Sequence, residues 1–154
     1  MPVIGMAEAA CLEAALGHRR FSIVTGGSAW QDMLTEFVQG IGLSSQLASI
    51  RAVPLTGDRI AAGPAAAIPA LATACNECVA LDGADVVILG GAAMAGLATR
   101  LQPLVPAPII CSVLAGAQAA FRQSSAGARV AGYADGVASV GLSPELARCL
   151  AGLH

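Results

Sequence analysis

The sequence predicts an α/β fold, a parallel sheet with helices on both faces, as a single domain over residues 1–154. Three observations carry that expectation. Val86, Val87, Ile88 and Leu89 form a wholly apolar run between Asp85 and the pair Gly90-Gly91. A run of this kind, without alternation, fits a strand covered on both faces. Further short apolar runs are separated by segments of helix formers, and such alternation gives parallel sheets with right-handed crossovers. Finally, 56% of the 154 residues are hydrophobic and only 12% are charged, so the chain can bury a real core.

The elements follow in order. Pro2–Gly5 is a short apolar strand, and Ala7–Leu16 is a helix that Gly17 stops. His18, Arg19 and Arg20 place positive charge where a helix C-terminus favours it. Phe21–Thr25 is the next strand, with Gly26-Gly27-Ser28 as its loop. Trp30–Val38 is an amphipathic helix carrying Met33, Leu34, Phe37 and Val38 at helical spacing. Gln46–Val53 is a strand, and Pro54–Pro64 is the longest irregular stretch. Ala65–Leu81 is a helix interrupted near its start by Pro69. After the strand at Val86–Leu89 comes a helix over Ala93–Leu101, then a fifth strand over Ala107–Cys111 and a helix over Val113–Arg122. Gln123–Gly141 is a Gly-, Ser- and Ala-rich crossing, and Ser143 caps a last helix with Pro144 at its first position.

Composition excludes several chemistries. All eight basic residues are Arg, so the chain forms no Lys Schiff base and completes no P-loop. His18 and His154 are the only histidines, which rules out a zinc site with several His ligands. Net charge is −2 without a basic cluster, which argues against a nucleic-acid surface. No apolar run reaches the roughly 18 residues of a membrane helix, and no leader opens the chain, so a soluble, cytoplasmic protein is expected. The five cysteines, at 11, 75, 78, 111 and 149, are odd in number and scattered, unlike a secreted disulfide framework. Cys75 and Cys78 form a CxxC, but inside a helix rather than opening one, where such pairs pack. No metal site is expected.

Two strand ends look alike. Thr25, Gly26, Gly27 and Ser28 follow one apolar run; Gly90, Gly91 and Ala92 follow another. A helix is expected after each, so backbone N–H groups, a positive dipole end and the hydroxyls of Thr25 and Ser28 would converge on a small carboxylate or another anion. Ligands of open α/β sheets sit outside the carboxyl ends of the strands.

Taken in order, PVIGMAEAA, RFSIVTGGSAW, IRAV, GADVVILGGAAMAGLA, VPAPIICSV and GLSPELA resemble the aspartate/glutamate/hydantoin racemase superfamily, most closely its hydantoin racemase-like branch. The resemblance runs along nearly the whole chain. It implies a flavodoxin-like lobe, a cofactor-independent isomerase acting on amino acids or their derivatives, and a site in a cleft between two lobes. It also implies two opposed cysteines as acid and base at a carbon next to a carbonyl.

The sequence departs from that pattern in two places. The family's leading segment, with its first cysteine, has no counterpart here. Gly91 stands where the second cysteine is expected, and glycine transfers no proton. Cys111 ends a strand where relatives commonly carry an acidic residue, and Glu8 lies in the family's EAA segment near the cleft; these are the candidate substitutes. Residues 18–122 would then form the main lobe, while 1–17 and 123–154 would pack on a first lobe absent from this chain, leaving apolar faces that favour a homo-oligomer. The expected function is a racemase-like isomerase with altered proton transfer. A non-catalytic carboxylate- or anion-binding module and a truncated gene product are the alternatives.

Overall fold

The structure, a computed structural model, describes residues 3–125. The Ser143 helix, Cys149 and His154 lie outside the described residues, as does all but the start of the Gln123–Gly141 stretch. Four parallel strands, β1 (Phe21–Gly26), β2 (Leu47–Val53), β3 (Val86–Gly90) and β4 (Ile109–Cys111), form one sheet in the order β2-β1-β3-β4. Helices α1 (Met6–Ala14), α2 (Trp30–Gly40) and α6 (Ser112–Ser125) cover one face; α3 (Gly57–Ala62), α4 (Pro64–Ala80) and α5 (Leu97–Leu101) cover the other.

The apolar run of β3 divides its side chains between two cores, as a two-sided strand must. Val86 and Ile88 join Phe21 and Ile23 under α1 and α2, whereas Val87 and Leu89 join Val24 under α4. Small residues let α1 lie close: Ala9, Ala10, Cys11 and Ala14 are its buried positions. Helix α1 covers this sheet, and it packs against α6 as well.

Five expectations are corrected. Val3–Gly5 is not a strand: no described residue pairs with it, Val3 is exposed, and the Gly5 carbonyl accepts the Ala9 N–H as the first bond of α1. The Pro54–Pro64 stretch contains α3, six residues anchored by the fully buried Ile60. Pro69 does not interrupt α4, since Ala65, whose carbonyl it leaves without an N–H, lies on the exposed side. After β3 comes a three-residue 3-10 turn, Ala92–Met94, and only then α5; Gly96, at φ 80, separates the two. Helix α6 runs on through 123–125, beyond the end read from the sequence.

A polar clamp holds the outer strand. Arg51 on β2 donates to both carboxylate oxygens of Asp82 at 2.6 and 2.9 Å and to Glu77 at 2.6 Å. Ser49 donates to Asp82 at 2.6 Å, and its hydroxyl also meets that of Ser22 on β1 at 2.8 Å. The Arg51 hydrogen bond holds the Asp82 carboxyl below the usual carboxylate range. Asp82 thus binds fewer protons folded than unfolded, so its contribution is fully present above the usual value near 3.8 and is lost as pH falls through the lowered one. Arg51→Gln is expected to cost about 1–2 kcal/mol at pH 7 and much less at pH 2, measured by urea unfolding at the two pH values.

Candidate functional site

Sheet topology decides where a cavity can form. Strand order reverses between β1 and β3, because β1 runs out to β2 on one side while β3 and β4 lie on the other. Loops leaving the carboxyl ends of such a pair diverge to opposite faces and open a crevice between them. Thr25 and Gly90 are direct partners across these two strands, so the two glycine loops leave the sheet side by side.

A cavity of about 410 Å³ occupies that crevice. Its floor is Ile23 and Ile88, with Thr25, Gly26, Gly90, Gly91 and Ala92 at the strand ends. Met6, Ala7 and Cys11 of α1, Trp30 and Leu34 of α2, and Gly57 and Ile60 of α3 supply the walls, and Ser112 closes the β4 side. Among the described residues, none that lines it is Asp, Glu, His or Arg. The polar groups in reach are two hydroxyls, one thiol, one indole and the loop backbone.

Two glycines are required by packing or backbone. A Cβ on Gly26 would stand 2.8 Å from the Leu55 carbonyl oxygen. Gly91 has φ 135 and ψ 142, a conformation that residues with side chains rarely adopt. Its N–H donates to the Ser112 Oγ at 3.3 Å, which ties the β3 loop to the start of α6.

The structure sorts the residues read from the sequence. Thr25, Gly26, Gly90, Gly91 and Ala92 lie together on the cavity. Gly27 and Ser28 lie outside its lining, Ser28 exposed and accepting the Gln31 N–H as α2 begins. Glu8 is exposed on α1, on the side of Leu12, whereas Ala7 and Cys11, one turn apart, line the cavity. Cys111 is buried but outside the lining, because it pairs with Leu89, whose side chain belongs to the opposite face; the following residue, Ser112, reaches the cavity instead. Cys11 and Ser112 were not singled out from the sequence. Ser112 was findable as the residue after a strand end, and Cys11 from its spacing of four from Ala7.

Burial pushes the Cys11 thiol up to about 11, so it is protonated at neutral pH and a poor base. Cys75 and Cys78 are fully buried in α4, and burial raises both, Cys75 to about 12. Among the described residues, no three His, Cys, Asp or Glu side chains are placed to hold a metal ion. No helix there is long and apolar enough to cross a membrane.

The family model for Asp/Glu/hydantoin racemases matches residues 1–120. The chain belongs to the Asp/Glu/hydantoin racemase family. Within it, hydantoin racemase of Pseudomonas sp. (strain NS671) is 32% identical over 115 residues, 75% of this chain and 46% of that protein. Hydantoin racemase of Paenarthrobacter aurescens is 34% identical over 119 residues, 77% of this chain and 50% of that one. The chain spans about half the length of these curated relatives. Two solved structures share the fold. Allantoin racemase from Pseudomonas fluorescens superposes with a TM-score of 0.83 at 24% identity, over 93% of this chain and 62% of its own. Allantoin racemase from Klebsiella pneumoniae gives 0.82 at 26%, over 94% and 60%.

Proposed function

We propose that this chain is a racemase-type isomerase by descent, cofactor-independent as the family resemblance implies, that takes a small hydantoin-like molecule in its cavity but has altered proton transfer. The observation that carries this reading is the cavity itself, which opens at the reversal of strand order with the two glycine loops on it and has no charged side chain among the described residues of its wall. An uncharged ring with its own N–H and C=O groups suits such a wall better than a free amino acid, whose charges would lack partners. The altered chemistry follows from Gly91, which stands where the resemblance places a thiol, and from Cys11, a thiol held protonated. A protonated thiol donates a proton but does not abstract one. A binder of small carboxylates is the competing reading.

Proton exchange followed by NMR in deuterated water tests this directly. The chain would be incubated with 5-substituted hydantoins, aspartate, glutamate and an arylmalonate. The expected result is saturable shifts of the Thr25 and Gly90–Ala92 amides with the hydantoins, and no inversion above the buffer control. Inversion at an enzymatic rate would overturn the altered proton transfer. Shifts with aspartate or glutamate alone would favour the carboxylate binder.

We also propose self-association in a cytoplasmic setting. Leu12 and Leu114 on α1 and α6, and Leu16 in the turn between α1 and β1, are all at least half exposed, and apolar surface of that kind favours contact between copies. The four cysteines of the described residues are all free thiols, in keeping with a reducing compartment. Light scattering at increasing concentration is expected to show a dimer or larger species; a constant monomer mass would refute it.

A further inference from the structure

We infer that α3 is a lid on the cavity: Gly57–Ala62 swings as one piece between Thr56 and Gly63, and Ile60 is the latch that holds it down. The inference rests on the reading of the cavity as a ligand site and adds how a ligand enters and leaves it. The other walls are tied to the body of the fold. Helix α1 buries Ala9, Ala10, Cys11 and Ala14 and packs against α6. In α2 the Gln31 side chain donates to the Ile50 carbonyl on β2 at 2.9 Å. The loop after β3 is held to α6 through the Gly91 N–H and the Ser112 Oγ.

Among the described residues, α3 has no such tie. Its hydrogen bonds stay within the segment, as the Ile60 N–H donates to the Thr56 carbonyl and the Gly63 N–H to the Arg59 carbonyl. Of its six residues, Gly57, Asp58, Arg59, Ala61 and Ala62 are exposed, whereas Ile60 is completely buried. Short segments with few buried contacts and solvent-facing hydrogen bonds are those that open locally while the rest of a fold stays closed.

The latch sits on the site itself. Ile60 and Gly57 both line the cavity, and the Ile60 Cδ1 would stand 3.1 Å from a Cβ on Gly26, at the end of β1. Both ends of the segment are anchored. Leu55 lies with its carbonyl against Gly26, and Pro64 opens the long helix α4. Gly57 and Gly63 bound the moving piece and absorb the change in backbone angles. Lifting α3 withdraws Ile60 from the core it shares with Val53 and Met94 and opens the cavity on the Gly26 side. One contact makes the lid lockable: a Cβ on Gly57 would lie 3.6 Å from the Ala93 Cβ, in the turn after β3. Disulfides join Cβ atoms about 3.5–4.5 Å apart, so Gly57→Cys with Ala93→Cys bolts the lid shut.

Stopped-flow titration of the full chain with 5-isopropylhydantoin tests the lid, read by the fluorescence of Trp30, the one tryptophan of the chain and a cavity residue. The double variant, closed with oxidised glutathione, is expected to bind at least about tenfold more slowly than after reduction with dithiothreitol. The unmodified chain given the same treatments should not change. Ile60→Ala should raise both association and release by about tenfold, because the open state becomes more populated. A residue that only touches the ligand would raise release alone. Thermal midpoints by circular dichroism establish that each variant is folded. Hydrogen exchange by NMR needs no ligand: the Ile60 and Gly63 amides should exchange at least about tenfold faster than those of Leu71 and Cys75 in α4, and slow down in the bolted form. Equal binding rates in the bolted and reduced forms, or α3 amides as protected as those of α4, would overturn the lid while leaving the ligand site standing. No hydantoin binding by the unmodified chain would overturn the reading of the cavity as a ligand site, and the exchange comparison then decides alone whether α3 opens.

Discussion

Phe21→Ala is expected to destabilise the fold by about 3–5 kcal/mol, the largest loss predicted for a single substitution in this chain. Phe21 is completely buried at the start of β1, where it pairs with Leu47 on one side and Val86 on the other. It belongs to the core that joins α1 and α2 to the sheet, with Ile23, Val38, Val86 and Ile88 around it. Removing the ring deletes buried apolar area and leaves a void that well-packed neighbours on a central strand fill poorly. Urea unfolding is expected to show a much lower midpoint with a similar slope. A loss under about 1 kcal/mol would mean that this face collapses around the gap, and that the layer under α1 and α2 is loosely packed.

Gly116→Val comes second, at about 3 kcal/mol. A Cβ on Gly116 would stand 2.9 Å from the Met6 Cβ and 3.0 Å from the Met6 Cα, so the obstacle includes backbone and does not swing away. Valine is the better helix former, but only by a few tenths of a kcal/mol, which does not offset a steric conflict between two helix backbones. The substitution therefore pushes α1 off α6. Because α1 carries Met6, Ala7 and Cys11 into the cavity wall, ligand binding should fall together with stability. Thermal unfolding and the hydantoin titration on the same preparation check this. Full affinity in a destabilised variant would show that α1 moves without disturbing the wall.

The sheet was largely legible because its signal is local. An unbroken apolar run at Val86–Leu89 and another at Phe21–Thr25, each ended by glycine, carry enough information to place both strands and the loops after them. What escaped depended on contacts distant in sequence. Gly57–Ala62 reads as irregular because Gly57, Gly63 and Pro64 punctuate it; the burial of Ile60 in the core with α4 is what makes a helix there worthwhile. Val3–Gly5 has strand-like composition, yet a strand exists only where another accepts its hydrogen bonds. The cavity itself was half legible. Both glycine loops were placed by strand-end logic, but that logic stopped one residue short at β4, on Cys111, and missed the alternation that turns Ser112 inward. Glu8 was chosen by its proximity to an expected cleft, whereas the helical period puts Cys11 on the cavity instead.

The backbone at Gly91 limits which residues this loop can accept. With φ at 135 and its N–H taken up by Ser112, the peptide has settled into a shape that a side chain disfavours. Gly91→Cys would therefore place a thiol on a loop set against it, at about 1–3 kcal/mol of strain. A side chain of any kind at this position calls for a second change that lets the loop relax, at Ser112 or within the turn that follows.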